Sequence, residues 1–156
     1  MTEPQLQERV RQAVAATGGF AGALDTVVRH FGAEVGTIHR LEPADNHLYL
    51  VAATPGIPEP VLAASRRIPI GKGIAGEAAQ TGRPVSHCNI QTAGSVPAGA
   101  KATGAQGALC VPIFDGDRIV GTLGIGCRGE RAFSDTETAE LIGVGRALAG
   151  ALTTGL

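Results

Sequence analysis

The residues best equipped for chemistry are few. His87 and Cys88 are adjacent, and Cys110 falls on a later strand pattern. Imidazole and thiolate together can bind a metal or haem, or tune a redox-sensitive thiol. The plainer reading is favoured, because free cysteine often behaves as a small buried hydrophobe. Cys127 makes the cysteine count odd, and no pair has C-x-x-C spacing. A disulfide-stapled secreted domain is therefore not expected, and a reduced, cytoplasmic setting is. No Ser-His-Asp order, paired-carboxylate spacing or H-E-x-x-H run is present. The expectation is no catalytic residue, no metal site and no assignable cofactor.

Gly71-x-Gly73-x-x-Gly76 matches the bare dinucleotide fingerprint. That fingerprint requires a strand immediately before it, and Ser65-Arg66-Arg67-Ile68-Pro69 reads as a poor strand. The match is rejected, and the glycines are expected to form a tight turn at a pocket rim. Arg66, Arg67 and Lys72 could attract an anion, but read better as a solvated face. His39 shares a strand face with Thr37. It either donates into a pocket or sits satisfied at the sheet edge. His30 and His47 read as surface residues.

These groups must be positioned by a single domain, residues 1–156. The chain has 156 residues, 44% of them hydrophobic and 17% charged, enough to bury a core without metal or disulfide. No apolar run approaches the roughly 18 residues of a membrane span. The net charge of −1 and 3% aromatic content favour neither a membrane nor a nucleic-acid partner.

Leu6, Val10 and Val14 recur at helical spacing over residues 4–16, stopped by Gly18-Gly19. Phe20, Leu24, Val27, Val28 and Phe31 stripe a second helix ending at Gly32. Strands are expected at 34–41 and 47–54, around a turn at 43–46. A short helix is predicted over 58–66 and another over Glu77–Thr81, followed by a strand at 84–88. Residues 89–107 read as a long loop, expected to act as a mobile lid. A hairpin follows, from Leu109 to Phe114 and from Arg118 to Gly126, turning at Asp115-Gly116. The last helix runs from Asp135 to about Leu152, with Ser134 and Glu137 as a capping box. Antiparallel strands between terminal helices predict an α+β fold.

Along the hairpin, Leu109, Val111, Ile113, Leu123 and Ile125 share the face expected to meet the terminal helices. Ala108, Cys110, Pro112, Thr122 and Gly124 share the other. A face of such small residues under short helices leaves room for a small-molecule cavity.

Four stretches resemble the GAF domain family of small-molecule sensory modules. They are Ile68 to Gly76 followed by Thr81-Gly82-Arg83-Pro84-Val85, then Ala108 to Ile113, then Arg118 to Ile125, and Phe133-Ser134-Asp135. The resemblance implies a central antiparallel sheet of five to six strands, one strand not yet placed. Terminal helices would cover one face, and a ligand pocket would lie under short helices and loops on the other. Carried over position by position, it implies pocket contacts at Thr37, Thr54, Ile74, Ala75 and Asn89. His39, Ala108 and Cys110 join them from the face pattern. Asn89 stands where cyclic-nucleotide-binding members carry an acid, and that subfamily's asparagine and lysine find no match near Gln106-Gly107. The free methionine-(R)-sulfoxide reductases of the same family need cysteines where this chain has Ala75 and the cysteine-free stretch from Asn89 to Gly107.

Three functions are thus in play: a sensor of an unidentified small molecule, a dimerisation scaffold with a vestigial pocket, and a thiol-dependent reductase. The first is preferred. It would act through terminal helices 1–16 and 135–152, packed side by side in a homodimer. Ala13, Ala16, Gly143 and Gly145 would allow that close approach. With this domain alone, the signal would pass to a partner in trans.

Overall fold

A computed structural model describes residues 2–88 and 106–153. Helix α1 (Glu3–Ala15) opens on a capping box, in which Thr2 accepts from the Gln5 amide and the Gln5 side chain accepts from the Thr2 amide. Helix α2 (Gly19–His30) follows, then β1 (Val35–Glu42), β2 (His47–Ala53), α3 (Glu59–Ser65) and β3 (Arg67–Pro69). Next come α4 (Gly73–Thr81), β4 (Val85–His87), β5 (Gly107–Asp115), β6 (Arg118–Cys127) and α5 (Asp135–Thr153). Asn89 and residues 89–105 of the expected lid lie outside the described residues, while its last residue, Gly107, instead opens β5.

Six strands form one antiparallel sheet in the order β3-β2-β1-β6-β5-β4. The unplaced strand is β3, which corrects the sequence reading of Arg67–Pro69. Its three residues are held by the ladder to Tyr49, Leu48 and His47, not by propensity. Pro69 is tolerated because β3 is an edge strand, where a missing amide donor breaks no second ladder. The strand before the glycine motif thus exists. It is antiparallel, so there is no parallel βαβ unit for a dinucleotide.

Helix α4 starts at Gly73 and not at Glu77, because the glycine motif is itself the first turn. Gly71 and Gly73 adopt φ of +92° and +68°, which side chains resist. A Cβ on Gly76 would lie 2.8 Å from the Pro69 carbonyl oxygen. The last hairpin also turns one residue later than its sequence suggests. Asp115 pairs with Arg118, which leaves Gly116-Asp117 as the two loop residues, Gly116 at φ +63°. Glycine at the first central position suits that turn.

Each face of the sheet has its own packing. Helices α2 and α5 lie on one face, and α1 lies across both of them. Leu109, Val111, Ile113, Leu123, Ile125 and Ile38 are buried there against Leu24, Val27, Leu141 and Leu148. Truncating any one of these leucines or isoleucines to alanine removes about 2–5 kcal/mol. The predicted contact of the terminal helices is present within the chain. A Cβ on Gly143 would meet Gln7 Nε2 at 2.6 Å, and one on Gly145 would meet Ile113 at 3.3 Å. Gly143 and Gly145, two of the small residues that suggested an intermolecular approach, thus make close contacts inside the protomer. His30 is half-buried, not superficial as expected, and reaches Glu140 on α5 at 3.2 Å. His47 is half-buried too, with Nδ1 2.7 Å from the Asp45 carbonyl oxygen.

Two β-bulges tune the faces. In β2 the register passes from Ala52 to Leu50, so Val51 is the extra residue. In β6 it passes from Gly121 to Ile119, so Val120 is extra. Beside the second bulge, strands β1 and β6 come unusually close. A Cβ on Gly121 would lie 2.1 Å from the His39 carbonyl oxygen, inside its van der Waals envelope. A Cβ on Gly124 would make ordinary contacts, 3.5 Å from Thr37 Oγ1 and 3.6 Å from Cys110 Sγ. Gly121→Ala is therefore expected to cost about 3 kcal/mol or more, or to prevent folding, since overpacking against backbone cannot relax by a rotamer change. Gly124→Ala should cost under about 1 kcal/mol. Urea titrations of the two variants check this; similar midpoints would contradict the close approach.

Candidate functional site

The second face of the sheet is lined by small side chains, and the ladder fixes which of them are neighbours. One row crosses four strands as Thr37, Gly124, Cys110 and Val85. The next row is Val35, Gly126, Ala108 and His87, and another is His39, Thr122 and Pro112. Gly124 and Gly126 expose backbone where the opposite face carries leucine and isoleucine. Helix α4 packs over β5 and β6, and α3 over β2 and β3.

The structure brings Thr37, His39, Ala108 and Cys110 together on this face. Ile74 and Ala75 are half-buried in the first turn of α4, above the same strands. Thr54 is engaged elsewhere. Its hydroxyl accepts from the Gly36 amide at 2.9 Å while its own amide donates to the Gly36 carbonyl at 3.1 Å, closing the β1–β2 ladder. His87 shares the face of Cys110, whereas Cys88 is exposed. No group of three or more His, Cys, Asp or Glu side chains suited to a metal ion occurs among the described residues.

His39 is the polar centre of this face, with only 2% of its surface exposed. Its Nε2 lies 2.9 Å from the Ser65 carbonyl oxygen at the end of α3. A carbonyl only accepts, so Nε2 carries the proton and Nδ1 is left with a lone pair. That Nδ1 atom is buried without a hydrogen-bond partner. So is Oγ1 of Thr122, directly opposite on β6. An unpaired buried polar atom costs about 1–3 kcal/mol. Burial pushes the His39 imidazole below its ordinary value, and the Ser65 carbonyl opposes this more weakly. The ring is neutral at physiological pH.

The two buried thiols, Cys110 and Cys127, are quiet. All three cysteines are free. Burial pushes the Cys110 thiol up to about 12, and the neighbouring Thr122 hydroxyl only partly counters it, without a well-formed hydrogen bond. Cys127 is also raised by burial, against the opposing pull of the Arg131 guanidinium 3.6 Å away. At neutral pH the thiolate fraction of Cys110 is negligible, and thiolate is the reactive form.

The sequence missed two contributors. Thr122 lay on the small-residue face but was not singled out as a contact. Ser65 acts through its backbone, which no residue type advertises. A separate cavity of about 260 Å³ lies between the β1–β2 turn, the start of β6 and the end of α5, lined by Leu41, Pro43, Ile119, Leu152, Arg40 and Arg118 among others. None of the expected contacts lines it. Its arginines are paired, Arg40 with Glu42 at 3.0 Å and Arg118 with Asp115 at 3.8 Å.

Comparison with known proteins agrees with this architecture. A GAF domain profile matches residues 20–153, and the chain belongs to the GAF domain family. Among solved structures it is similar to the GAF domain of a phosphoenolpyruvate-protein phosphotransferase from Acinetobacter, with 17% identity, 97% of this chain and 94% of that chain covered, and a TM-score of 0.75. The corresponding domain from Coxiella burnetii superposes with a TM-score of 0.78 at 16% identity, over 95% of this chain and 90% of that one. The free methionine-R-sulfoxide reductase from Neisseria meningitidis, solved with its substrate, gives 0.73 at 18% identity, over 96% and 87%. No curated protein matches the sequence. At these identities the structural likeness speaks for the fold. No helix among the described residues is long and apolar enough to cross a membrane.

The His39 environment has a thermodynamic consequence. Its folded-state value lies below that of the unfolded chain, near 6.5, so the unfolded state takes up protons first. The stability of the neutral ring is fully present above about pH 6.5 and is lost as pH falls towards the folded value, with a slope of at most about 1.4 kcal/mol per pH unit. The carboxylates of Glu42, Asp45 and Glu137, all lowered, lose stability only in more acidic solution. Urea midpoints are therefore expected to fall as the pH drops below about 6.5, and His39→Gln to flatten that decline. An unchanged slope in the variant would refute the assignment.

Proposed function

We propose that the protein is a small-molecule-binding regulatory domain whose occupancy is passed to its terminal helices. One observation carries the reading: a sheet face built of glycine, alanine, threonine and cysteine, at whose centre two polar atoms are buried unpaired. GAF domains commonly bind small molecules, and a sheet face of small side chains would suit the floor of such a site. Thr37, His39, Ala108 and Cys110 would form the floor, with Ile74 and Ala75 as a wall. Asn89 and Thr54 complete the set implied by resemblance, although the Thr54 hydroxyl already holds Gly36.

The route outwards is short. On β6, Thr122 points to the ligand side while Leu123 and Ile125 are buried against the helices. A ligand that shifts β6 shifts the packing of α5. A homodimer would have to use the outward faces of α1 and α5, where Glu8, Arg11, Arg146 and Gly150 are exposed. Its signal would then reach a partner in trans, in a cytoplasmic setting.

Reductase chemistry is the second reading, because structural neighbours include such enzymes. The buried, protonated state of Cys110 argues against it.

Native mass spectrometry of gently purified protein is expected to reveal a bound small molecule. Thioredoxin-coupled turnover of free methionine-(R)-sulfoxide is expected to be at background. Measurable turnover, abolished in Cys88→Ser or Cys110→Ser, would replace the sensor reading with the enzymatic one.

A further inference from the structure

Strands β1 and β6 part at one end of the sheet. Their last shared pair is Arg40 with Gly121. Beyond it β1 runs on against β2 to Glu42, while β6 begins at Arg118 against β5. The notch between them, with the last turn of α5 beside it, holds the cavity of about 260 Å³. Its body is apolar. The β6 bulge brings Ile119 and Val120 to it in succession, Leu41 faces it from β1, and the buried Leu152 comes from α5. Among the described residues that line it, the only charged groups are the guanidiniums of Arg40 and Arg118. Their carboxylate partners, Glu42 and Asp115, stand outside the lining.

We propose that this notch is a second ligand site, separate from the small-residue face, and that it takes a small monocarboxylic acid whose carboxylate meets Arg118 and whose apolar body lies against Ile119, Val120 and Leu152. Arg118 is free to be recruited. It lies 3.8 Å from Asp115, beyond hydrogen-bond reach, and 71% of its side chain is exposed. Arg40 gives one N–H to Glu42 at 3.0 Å, and a guanidinium carries five. The planar fork of arginine matches a carboxylate. Glu42 and Asp115 already offset much of the positive charge, so a single negative charge suits the notch better than the two of a phosphate ester. The last carbonyls of α5 repel an acid, which directs the carboxylate to the strand side and the apolar body to Leu152. The volume falls below the roughly 300–1,000 Å³ of sites for drug-sized ligands, so the acid is small. Bound there, it clasps the last turn of α5 to the sheet. None of this depends on the small-residue face being occupied.

The test is an NMR titration, read at backbone amides and methyl groups, with four probes that share one hexyl chain: hexanoate, hexan-1-ol, hexylamine and hexyl phosphate. Hexanoate is expected to shift Leu41, Ile119, Val120 and Leu152, and to bind roughly 3- to 10-fold more tightly than hexan-1-ol at low salt. Hexylamine and hexyl phosphate should both bind more weakly than hexanoate. Arg118→Ala removes only an exposed, loosely held pair, so its urea midpoint should match the parent. It should reduce hexanoate binding to the level of hexan-1-ol and leave hexan-1-ol unchanged, and Arg118→Lys should restore part of the difference.

Hexan-1-ol or hexylamine binding as tightly as hexanoate would overturn the proposal, as would hexanoate binding unchanged in Arg118→Ala. Tighter binding of hexyl phosphate would overturn the monocarboxylate class. Hexanoate shifts confined to Thr37, Cys110 and Gly124 would move the acid to the small-residue face, which sinks the notch and supports ligand binding at that face. No shift at the notch with any probe would remove the second site and leave the reading of the small-residue face as it stands.

Discussion

The contact between β1 and β6 is the constraint on which the rest of the molecule depends. These strands are far apart in sequence yet lie at the centre of the sheet. Their register puts His39 opposite Thr122 and Ile38 opposite Leu123. The missing side chain at Gly121 lets the His39 carbonyl sit where a Cβ would otherwise be. Because strand side chains alternate, this one register sends Ile38 and Leu123 to the helices and His39 and Thr122 to the other face. A slip by one residue would bury the imidazole in the aliphatic core and turn leucine to the opposite face. Core and site are set by the same ladder.

The two faces solve different problems. Under α2 and α5 the sheet is packed with branched aliphatic side chains, whose burial drives folding at roughly 25 cal/mol per Å². The other face is floored by glycine, alanine and cysteine, which bury little area and leave two polar atoms without partners. Such a face contributes little to stability and works against it at His39. A fold can carry that deficit only because the helical side supplies the surplus. Unfavourable local features of this kind concentrate where function needs them.

Much of this was legible in the sequence, and the exceptions have physical causes. The alternation in Leu109–Ile113 and Leu123–Ile125 assigned the faces of β5 and β6 correctly, because both strands keep strict period two through these residues. The Ser134–Glu137 box was readable because it is local; both of its hydrogen bonds form at 3.0 Å. Strand β3 was not readable. Arg67-Ile68-Pro69 has little strand propensity, and only pairing to β2 makes it a strand. The onset of α4 was misplaced because glycine at positive φ looks like loop chemistry. The half-burial of His30 depends on Glu140, 110 positions away. Of the expected contacts, His39 has two roles open to it in the sequence. Its sequence context could not decide, since the deciding atom is a backbone carbonyl 26 residues downstream.

That carbonyl also explains why the helix α3 matters more than its length suggests. It has seven residues, none of them buried, and little of its own to hold it in place. Its last residue is nevertheless tied to the sheet. Ser65 lends its carbonyl to His39, its hydroxyl donates to the Val61 carbonyl at 2.8 Å, and the Arg66 carbonyl accepts from the Leu50 amide at 3.1 Å. The imidazole therefore links a weakly packed helix on the outside to the central strand pair on the inside. Its outer nitrogen is committed to α3 and its inner nitrogen is vacant. A single side chain thereby ties α3 to the central strand pair, and the same strand that carries Thr122 continues into the contact with α5.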